Sequence, residues 1–125
     1  MAFRVLIVDD SSVMRKIIMR NLRQAGVQTS EVFEAGDGYE ALQIVEKQPV
    51  DLIFSDINMP NMDGIEFVRR ARQIPQGQIC KIIMITTEAG TDMVHKAVEA
   101  GADAYIVKPF TPKQLAEKVA MVVED

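Results

Sequence analysis

The chain has 125 residues, the length of one domain, and its apolar fraction of 48% is ordinary for a soluble globular protein. Its formal net charge of −4 argues against a general role in binding nucleic acids or membrane surfaces. The lone Cys80 excludes an intrachain disulfide and a cysteine-based zinc site, so we expect it to be a small core residue.

Five short apolar runs are predicted to be β-strands. Four are rich in valine, isoleucine and phenylalanine without polar alternation, which indicates strands that are covered on both faces. The second run is more polar, and we place it at an edge of the sheet. In chain order the runs are residues 3–8, 31–35, 52–55, 81–85 and 104–107.

The segments between these runs carry start and stop signals of helices. The first helix is predicted to begin at Ser11 or Ser12 and to end near Gly26. The other starts are Asp37-Gly38, Gly64, Thr91 or Asp92, and the capping pattern Thr111-Pro112-Lys113-Gln114, with Gly101 closing the fourth helix. The predicted apolar faces are Val13, Ile17, Ile18 and Leu22; Ala41, Leu42 and Val45; Ile65 and Val68; Val94, Ala97 and Val98; and Leu115, Val119 and Val122.

The strict alternation of strands and helices predicts an α/β fold, a doubly wound five-stranded parallel sheet with helices on both faces. We expect a single domain over residues 1–125, because no repeat, linker or low-complexity tract divides the chain. No apolar segment is long enough to span a bilayer and no signal peptide is recognisable, so a cytoplasmic location is expected.

Polar residues follow four of the five predicted strands. Asp9 and Asp10 follow the first, Asp56 the third, Thr86 the fourth and Lys108 the fifth. Ligands of such sheets bind beyond the carboxyl ends of the strands, so we expect these side chains to share one crevice. Three close carboxylates cannot all stay ionised unaided, and oxygen ligands favour Mg²⁺, with Mn²⁺ as an alternative. An aspartate, a divalent metal, a lysine and a threonine are what phosphoryl transfer to a carboxylate requires.

Four segments spread over the whole chain carry a specific combination of motifs: VLIVDDSSVMRK, DLIFSDINMPNMDG, IIMITTE and AYIVKPFTPKQL. This combination resembles the receiver domain of two-component response regulators, and it is most similar to stand-alone chemotaxis regulators of the CheY type. The resemblance implies a flavodoxin-like, CheY-like (βα)5 fold with strand order 2-1-3-4-5. It also implies a signalling module that catalyses only its own phosphorylation and dephosphorylation, rather than an enzyme.

The resemblance further implies a role for each residue of the crevice. Asp56 matches the phosphoacceptor, Asp10 a direct metal ligand and Asp9 the acid that orients metal-bound waters. Asn58 matches the position that lends its backbone carbonyl to the metal. Lys108 matches the lysine of the site, with a cis peptide bond expected to the following proline.

Other matched positions imply a conformational switch. Thr86 matches the switch hydroxyl, and Tyr105 matches an aromatic side chain that turns inward on activation. Asn58 and Glu88 lie where the family tunes hydrolysis of the acyl phosphate, so a short-lived phosphorylated state is predicted. Thr87 is bulkier than the alanine often found there, which leaves the freedom of Tyr105 open.

The implied partners are a sensor histidine kinase or phosphotransfer domain, a downstream protein effector and a phosphatase. A flagellar motor switch is the favoured effector, and a monomer that binds neither nucleic acid nor membrane is expected. A phosphorelay intermediate, a type IV pilus motility regulator and a receiver of a larger regulator would look alike. His95 is interpreted as a solvated residue. Arg15, Lys16 and Arg20 are interpreted in the same way, with docking to the kinase as the alternative.

Two functions of other classes stay open. An aspartyl phosphatase of the haloacid dehalogenase type shares an aspartate, a threonine and a lysine, but it needs a second aspartate where this chain has Asn58. A flavodoxin-like electron carrier would need a phosphate-cradling loop after the first strand, where Asp9 and Asp10 would repel a phosphate.

Overall fold

Five parallel strands form one sheet in the computed structural model, which describes residues 2–87 and 91–123. They are β1 (Phe3–Val8), β2 (Thr29–Ala35), β3 (Leu52–Asp56), β4 (Lys81–Thr86) and β5 (Ala104–Val107). Their order is β2-β1-β3-β4-β5, which confirms the predicted fold class and strand order. The polar second strand lies at an edge, as predicted. Asp56 and Thr86 were predicted to follow their strands, but they are the last residues of β3 and β4. Asp56 pairs with Ile85 of β4, and Thr86 pairs with Val107 of β5.

Five α-helices are found in the described part of the chain, and each begins within a residue of a predicted start. They are α1 (Ser12–Gln24), α2 (Gly38–Lys47), α3 (Gly64–Ala71), α4 (Thr91–Ala100) and α5 (Pro112–Val123). A short 3-10 helix, Pro75–Gln78, precedes β4 and was not predicted. The predicted capping box of α5 is present, because Gln114 N–H donates to Thr111 Oγ1 (3.1 Å) and Thr111 N–H donates to Gln114 Oε1 (2.9 Å).

The helices cover both faces of the sheet and make two apolar cores. Helices α1 and α5 pack on one face through residues such as Ile18, Leu22 and Leu115, whereas α2, α3 and α4 pack on the other. Cys80 is buried in the core beneath α2, α3 and α4, as predicted. None of the described helices is long and apolar enough to cross a membrane.

Three residues assigned to apolar helix faces are in fact exposed. Val13 is 66% exposed and Ile17 38%, because Ile18 and Leu22, one turn apart, are the buried residues of α1, and Met14 and Met19 beside them are partly buried against the same core. Each helical residue rotates the side chain by about 100°, so Ile17 lies a quarter turn away from Ile18. Val98 is 56% exposed for the same reason, since its neighbour Ala97 takes the core position.

Candidate functional site

Asp9 lies buried at the carboxyl end of β1, with only 2% of its surface exposed. Its N–H donates to the carbonyl oxygen of Ala35 on β2 (3.1 Å), which holds the main chain in register. One carboxylate oxygen, Oδ1, accepts the N–H of Ser11 (2.9 Å). The other, Oδ2, has no hydrogen-bond partner in the described part of the chain. Burial raises the pKa of Asp9 above its usual range, and the N–H of Ser11 opposes that shift.

Asp56 presents its carboxylate from the last position of β3. Burial raises the pKa of Asp56, while Lys108 and the backbone N–H groups of Asn58 and Ile57 act in the opposite direction. The backbone around Asp56 is fixed by Gly64 at the start of α3, whose N–H donates to the carbonyl of Ile57 (2.7 Å). A Cβ atom on Gly64 would lie 2.9 Å from the Cα of Ile57 and even closer to the carbonyl oxygen of Asp56. Only glycine therefore fits where this helix meets the strand.

Lys108 brings an ammonium group to both buried carboxylates. Its Nζ lies 3.7 Å from Oδ2 of Asp9 and 3.8 Å from Oδ2 of Asp56. The N–H of Lys108 donates to the carbonyl of Thr86 at the end of β4 (2.7 Å), so the base of the side chain is tied to the sheet. The peptide bond to Pro109 is cis, as predicted.

Asp9, Asp10 and Asp56 form an acidic cluster suited to a cation. One carboxylate oxygen from each residue can be chosen so that all three lie within 4.8 Å of one another. Lys108 alone does not balance three carboxylates, and Oδ2 of Asp9 is a buried oxygen that has this ammonium 3.7 Å away but accepts no hydrogen bond from the described residues. These hard oxygen ligands fit a divalent ion such as Mg²⁺.

The predicted switch residues lie on neighbouring strands. Thr86 is buried at the end of β4, next to Val107 of β5. Tyr105 is half-buried on β5, and Nζ of Lys118 on α5 lies 5.2 Å from the centre of its ring. This contact is a cation–π interaction. The roles of Thr86 and Tyr105 in switching stay predictions.

The remaining predicted residues divide by position. Asn58 lies in the loop after Asp56 with its side chain exposed, and its carbonyl ligation stays a prediction. Glu88 lies outside the described residues. His95 is exposed on α4, as predicted.

Arg15 was wrongly assigned to a solvated face. Its side chain is 18% exposed, its Nη1–H donates to the main-chain oxygen of Asp9 (2.6 Å) and its Nε–H donates to Oε1 of Glu34 (2.9 Å). Lys16 and Arg20 on the same helix are exposed, as predicted. The sequence carried no signal for these contacts, because both partners of Arg15 lie on other elements of the fold.

Comparison with known proteins agrees with this geometry. Residues 5–120 match the family model described as the response regulator receiver domain. The chain belongs to this family. Receiver domains of this type are signalling modules, and the match does not favour an aspartyl phosphatase or an electron carrier.

The relatives include chemotaxis proteins. A chemotaxis protein CheY homolog of Campylobacter jejuni is 43% identical over 121 residues, covering 96% of this chain and 92% of that protein. The solved chemotaxis response regulator CheY4 of Vibrio cholerae is 38% identical with a TM-score of 0.86, covering 98% of this chain and 99% of that one. The solved receiver domain of the sensor histidine kinase PA1611 from Pseudomonas aeruginosa has a magnesium ion coordinated in its active-site cleft. It is 27% identical with a TM-score of 0.87, and the match covers 100% of both chains.

Proposed function

We propose that this chain is a phosphorylation-controlled signalling protein of a two-component system in chemotaxis, with Asp56 as its phosphoacceptor. The observation that carries the proposal is the acidic cluster with Lys108 beside it, within 3.7 Å of Asp9 and 3.8 Å of Asp56. A nucleophilic carboxylate, a neighbouring ammonium group and a cation site are the elements of phosphoryl transfer. The chemotaxis assignment is supported by the relatives that are named chemotaxis proteins.

The chemistry follows from the groups that surround Asp56. An oxygen of its carboxylate attacks the phosphorus of a phosphohistidine on a histidine kinase or phosphotransfer domain. The P–N bond breaks, the leaving nitrogen takes up a proton, and Asp56 becomes an acyl phosphate. Lys108 balances the charge of the phosphoryl oxygens, and the hydroxyl of Thr86 donates to one of them. Hydrolysis reverses the state when water attacks phosphorus, the bond to Asp56 breaks, and inorganic phosphate leaves.

The acidic cluster would hold Mg²⁺, or Mn²⁺ in its place. Asp10 and Asp56 would be direct ligands together with the carbonyl oxygen of Asn58, and Asp9 would orient the ion's waters. When bound, the ion supplies positive charge that offsets the negative charge of the phosphoryl oxygens. The buried Oδ2 of Asp9, which accepts no hydrogen bond from the residues that the structure describes, and the three close carboxylates support this assignment.

The output surface is proposed to be the face formed by α4, β5 and α5. A groove of 320 Å³ between β5 and α5 includes Tyr105 and Lys118, and Val98 on α4 and Met121 on α5 expose apolar side chains. Exposed apolar groups next to charged ones are typical of protein-binding surfaces. Phosphorylation of Asp56 would shift the equilibrium between two states of this face, and a protein effector such as a flagellar motor switch would bind one of them.

The lifetime of the phosphorylated state is proposed to be short. Asn58 is an exposed polar side chain two residues after Asp56, and Glu88 is placed two residues after Thr86 in the sequence. Polar groups at these positions would help to orient the attacking water. A phosphatase partner would shorten the lifetime further. The protein is expected to act as a monomer that binds neither nucleic acid nor membranes.

The first experiment measures the intact mass of the protein after incubation with acetyl phosphate, with and without Mg²⁺. We expect a Mg²⁺-dependent gain of one phosphoryl group that is absent in Asp56→Asn. Asp37→Asn is the matched control, because asparagine also caps helices well and Asp37 lies at the N-cap of α2. A phosphoryl group that persists in Asp56→Asn would refute the assignment of the acceptor. A wild-type mass that never changes, combined with no binding of beryllofluoride, would refute the proposed function.

A second experiment tests the switch itself. The chain has two tyrosines and no tryptophan, so Tyr39→Phe leaves Tyr105 as the main fluorophore. Tyr39 is exposed on α2, which makes the substitution mild. We expect beryllofluoride with Mg²⁺ to change the fluorescence of Tyr105 in this variant and not in its combination with Asp56→Asn. An unchanged signal in spite of bound beryllofluoride would refute the role of Tyr105.

A further inference from the structure

Arg15 joins the first metal-binding loop to the edge of the sheet. Its guanidinium donates from Nη1 to the main-chain oxygen of Asp9 (2.6 Å) and from Nε to Oε1 of Glu34 on β2 (2.9 Å). The carbonyl of Asp9 belongs to the peptide group that carries Asp10. Arg15 therefore fixes the plane from which both acids of this loop project.

The position of Arg15 is not explained by the helix that contains it. A cation in the first turn of α1 faces the positive end of the helix dipole, which is unfavourable. Its long side chain is nevertheless 18% exposed and held at two points, which costs conformational freedom. The forked guanidinium can bond a carbonyl and a carboxylate at once, which a lysine cannot do with the same geometry.

We infer that Arg15 is a positioning residue, which together with Glu34 orients the Asp9–Asp10 peptide so that the acids can hold a divalent cation. The inference rests on the proposed function, because it assigns a cation to the acidic cluster. It concerns residues that bear no direct contact to that cation. A positioning role and a purely electrostatic role make opposite predictions for Arg15→Gln and the same prediction for Glu34→Gln.

The sign of the change in Mg²⁺ affinity in Arg15→Gln separates the two roles. If Arg15 acted only through its charge, Arg15→Gln would tighten Mg²⁺ binding and Glu34→Gln would weaken it. If the pair positions the peptide, both variants weaken binding. Residues that orient metal ligands typically contribute about tenfold or more to affinity, so we expect about tenfold weaker binding in each variant. The double variant should resemble each single variant, because either substitution already breaks the linkage.

The experiment measures Mg²⁺ affinity by isothermal titration calorimetry for the wild type, Arg15→Gln, Glu34→Gln and the double variant. Arg23→Gln and Glu31→Gln are the controls, because they remove the same charges from exposed positions on the same two elements. The rate of phosphorylation by acetyl phosphate is measured in parallel, and saturating Mg²⁺ should restore it in Arg15→Gln. A structural defect of the fold would not be restored in this way.

A metal-free measurement reports on the hydrogen bond itself. In EDTA, the carbonyl ¹³C resonance of Asp9 should move in Arg15→Gln and Glu34→Gln and stay in place in both controls. Tighter binding in Arg15→Gln, or unchanged affinity in both variants, would overturn the inference and leave the proposed function intact. Mg²⁺ binding without phosphorylation of the wild type would refute the proposed function alone. A wild type that binds no Mg²⁺ would refute both.

Discussion

Replacing Asp10 by asparagine should make the metal-free protein more stable while it abolishes Mg²⁺ binding. The oxygens of the acidic cluster lie within 4.8 Å of one another. Two unit charges at that separation repel by about 3.5 kcal/mol at an effective dielectric constant of ~20, and by about 0.9 kcal/mol in water. Asp10 is exposed, so solvent screening favours the lower value for each of its two neighbours, Asp9 and Asp56. Asparagine keeps the shape of the side chain, and we expect a gain of about 2 kcal/mol in the free energy of unfolding.

The assay is urea unfolding in EDTA and in excess Mg²⁺. In EDTA, the free energy of unfolding of Asp10→Asn should exceed that of the wild type by about 2 kcal/mol, which corresponds to a Tm higher by roughly 8 °C for a chain of this size. Mg²⁺ at ten times its Kd should stabilise the wild type by about 1.4 kcal/mol and leave the variant unchanged. Asp37→Asn should show neither effect. A variant that is less stable than the wild type in EDTA would refute the reasoning, because the carboxylate would then be making structural contacts.

Three further predictions concern the groups around Asp56. Because burial raises the folded-state pKa of Asp56, the excess stability of Asp56→Asn in EDTA should be largest above that raised pKa and shrink as the pH falls through it towards the unfolded value of about 4. Urea titrations across this range check the sign, and a pH-independent difference would contradict it. Gly64→Ala should lower the free energy of unfolding by about 2 kcal/mol or more in the same assay, because the added Cβ would clash with the backbone of Asp56. A Gly64→Ala variant as stable as the wild type would show that the start of α3 can shift to accommodate the added Cβ. Lys108→Arg keeps the charge but not the compact ammonium, so the fluorescence response of Tyr105 in the Tyr39→Phe background should be lost. A full response would exclude a specific role for the amine.

The fold was predictable because its signals are local and repeated. Strands without polar alternation require cover on both faces, and five alternating units leave few topologies. The predicted capping residues Ser11 and Asp37 accept backbone N–H groups that any helix leaves free, so such residues mark helix boundaries well. The 3-10 helix Pro75–Gln78 was missed because its four residues carry no apolar period.

Exposure was harder to predict than secondary structure. Val13 and Ile17 fit a helical apolar stripe, yet the contact of α1 with the sheet and with α5 is too narrow to cover them. The acidic cluster was found because residues at strand ends must meet at one edge of a parallel sheet. Arg15 escaped because its partners, Asp9 and Glu34, are a main-chain oxygen and a side chain on the neighbouring edge strand, and a linear pattern contains neither contact.

Under the proposed function, charge balance accounts for how the acidic cluster would act as a switch. With all three carboxylates ionised, they and Lys108 would leave two negative charges at the site, which a divalent cation would balance. A phosphoryl group on Asp56 replaces one negative charge by up to two, so it adds charge to a site that had just been balanced. Nearby donors are then drawn towards the new oxygens, and Lys108 is already within reach of Asp56. Thr86 lies at the end of the adjacent strand β4, which is paired with the strand that carries Tyr105, so the proposed coupling would need to cross only one strand pair.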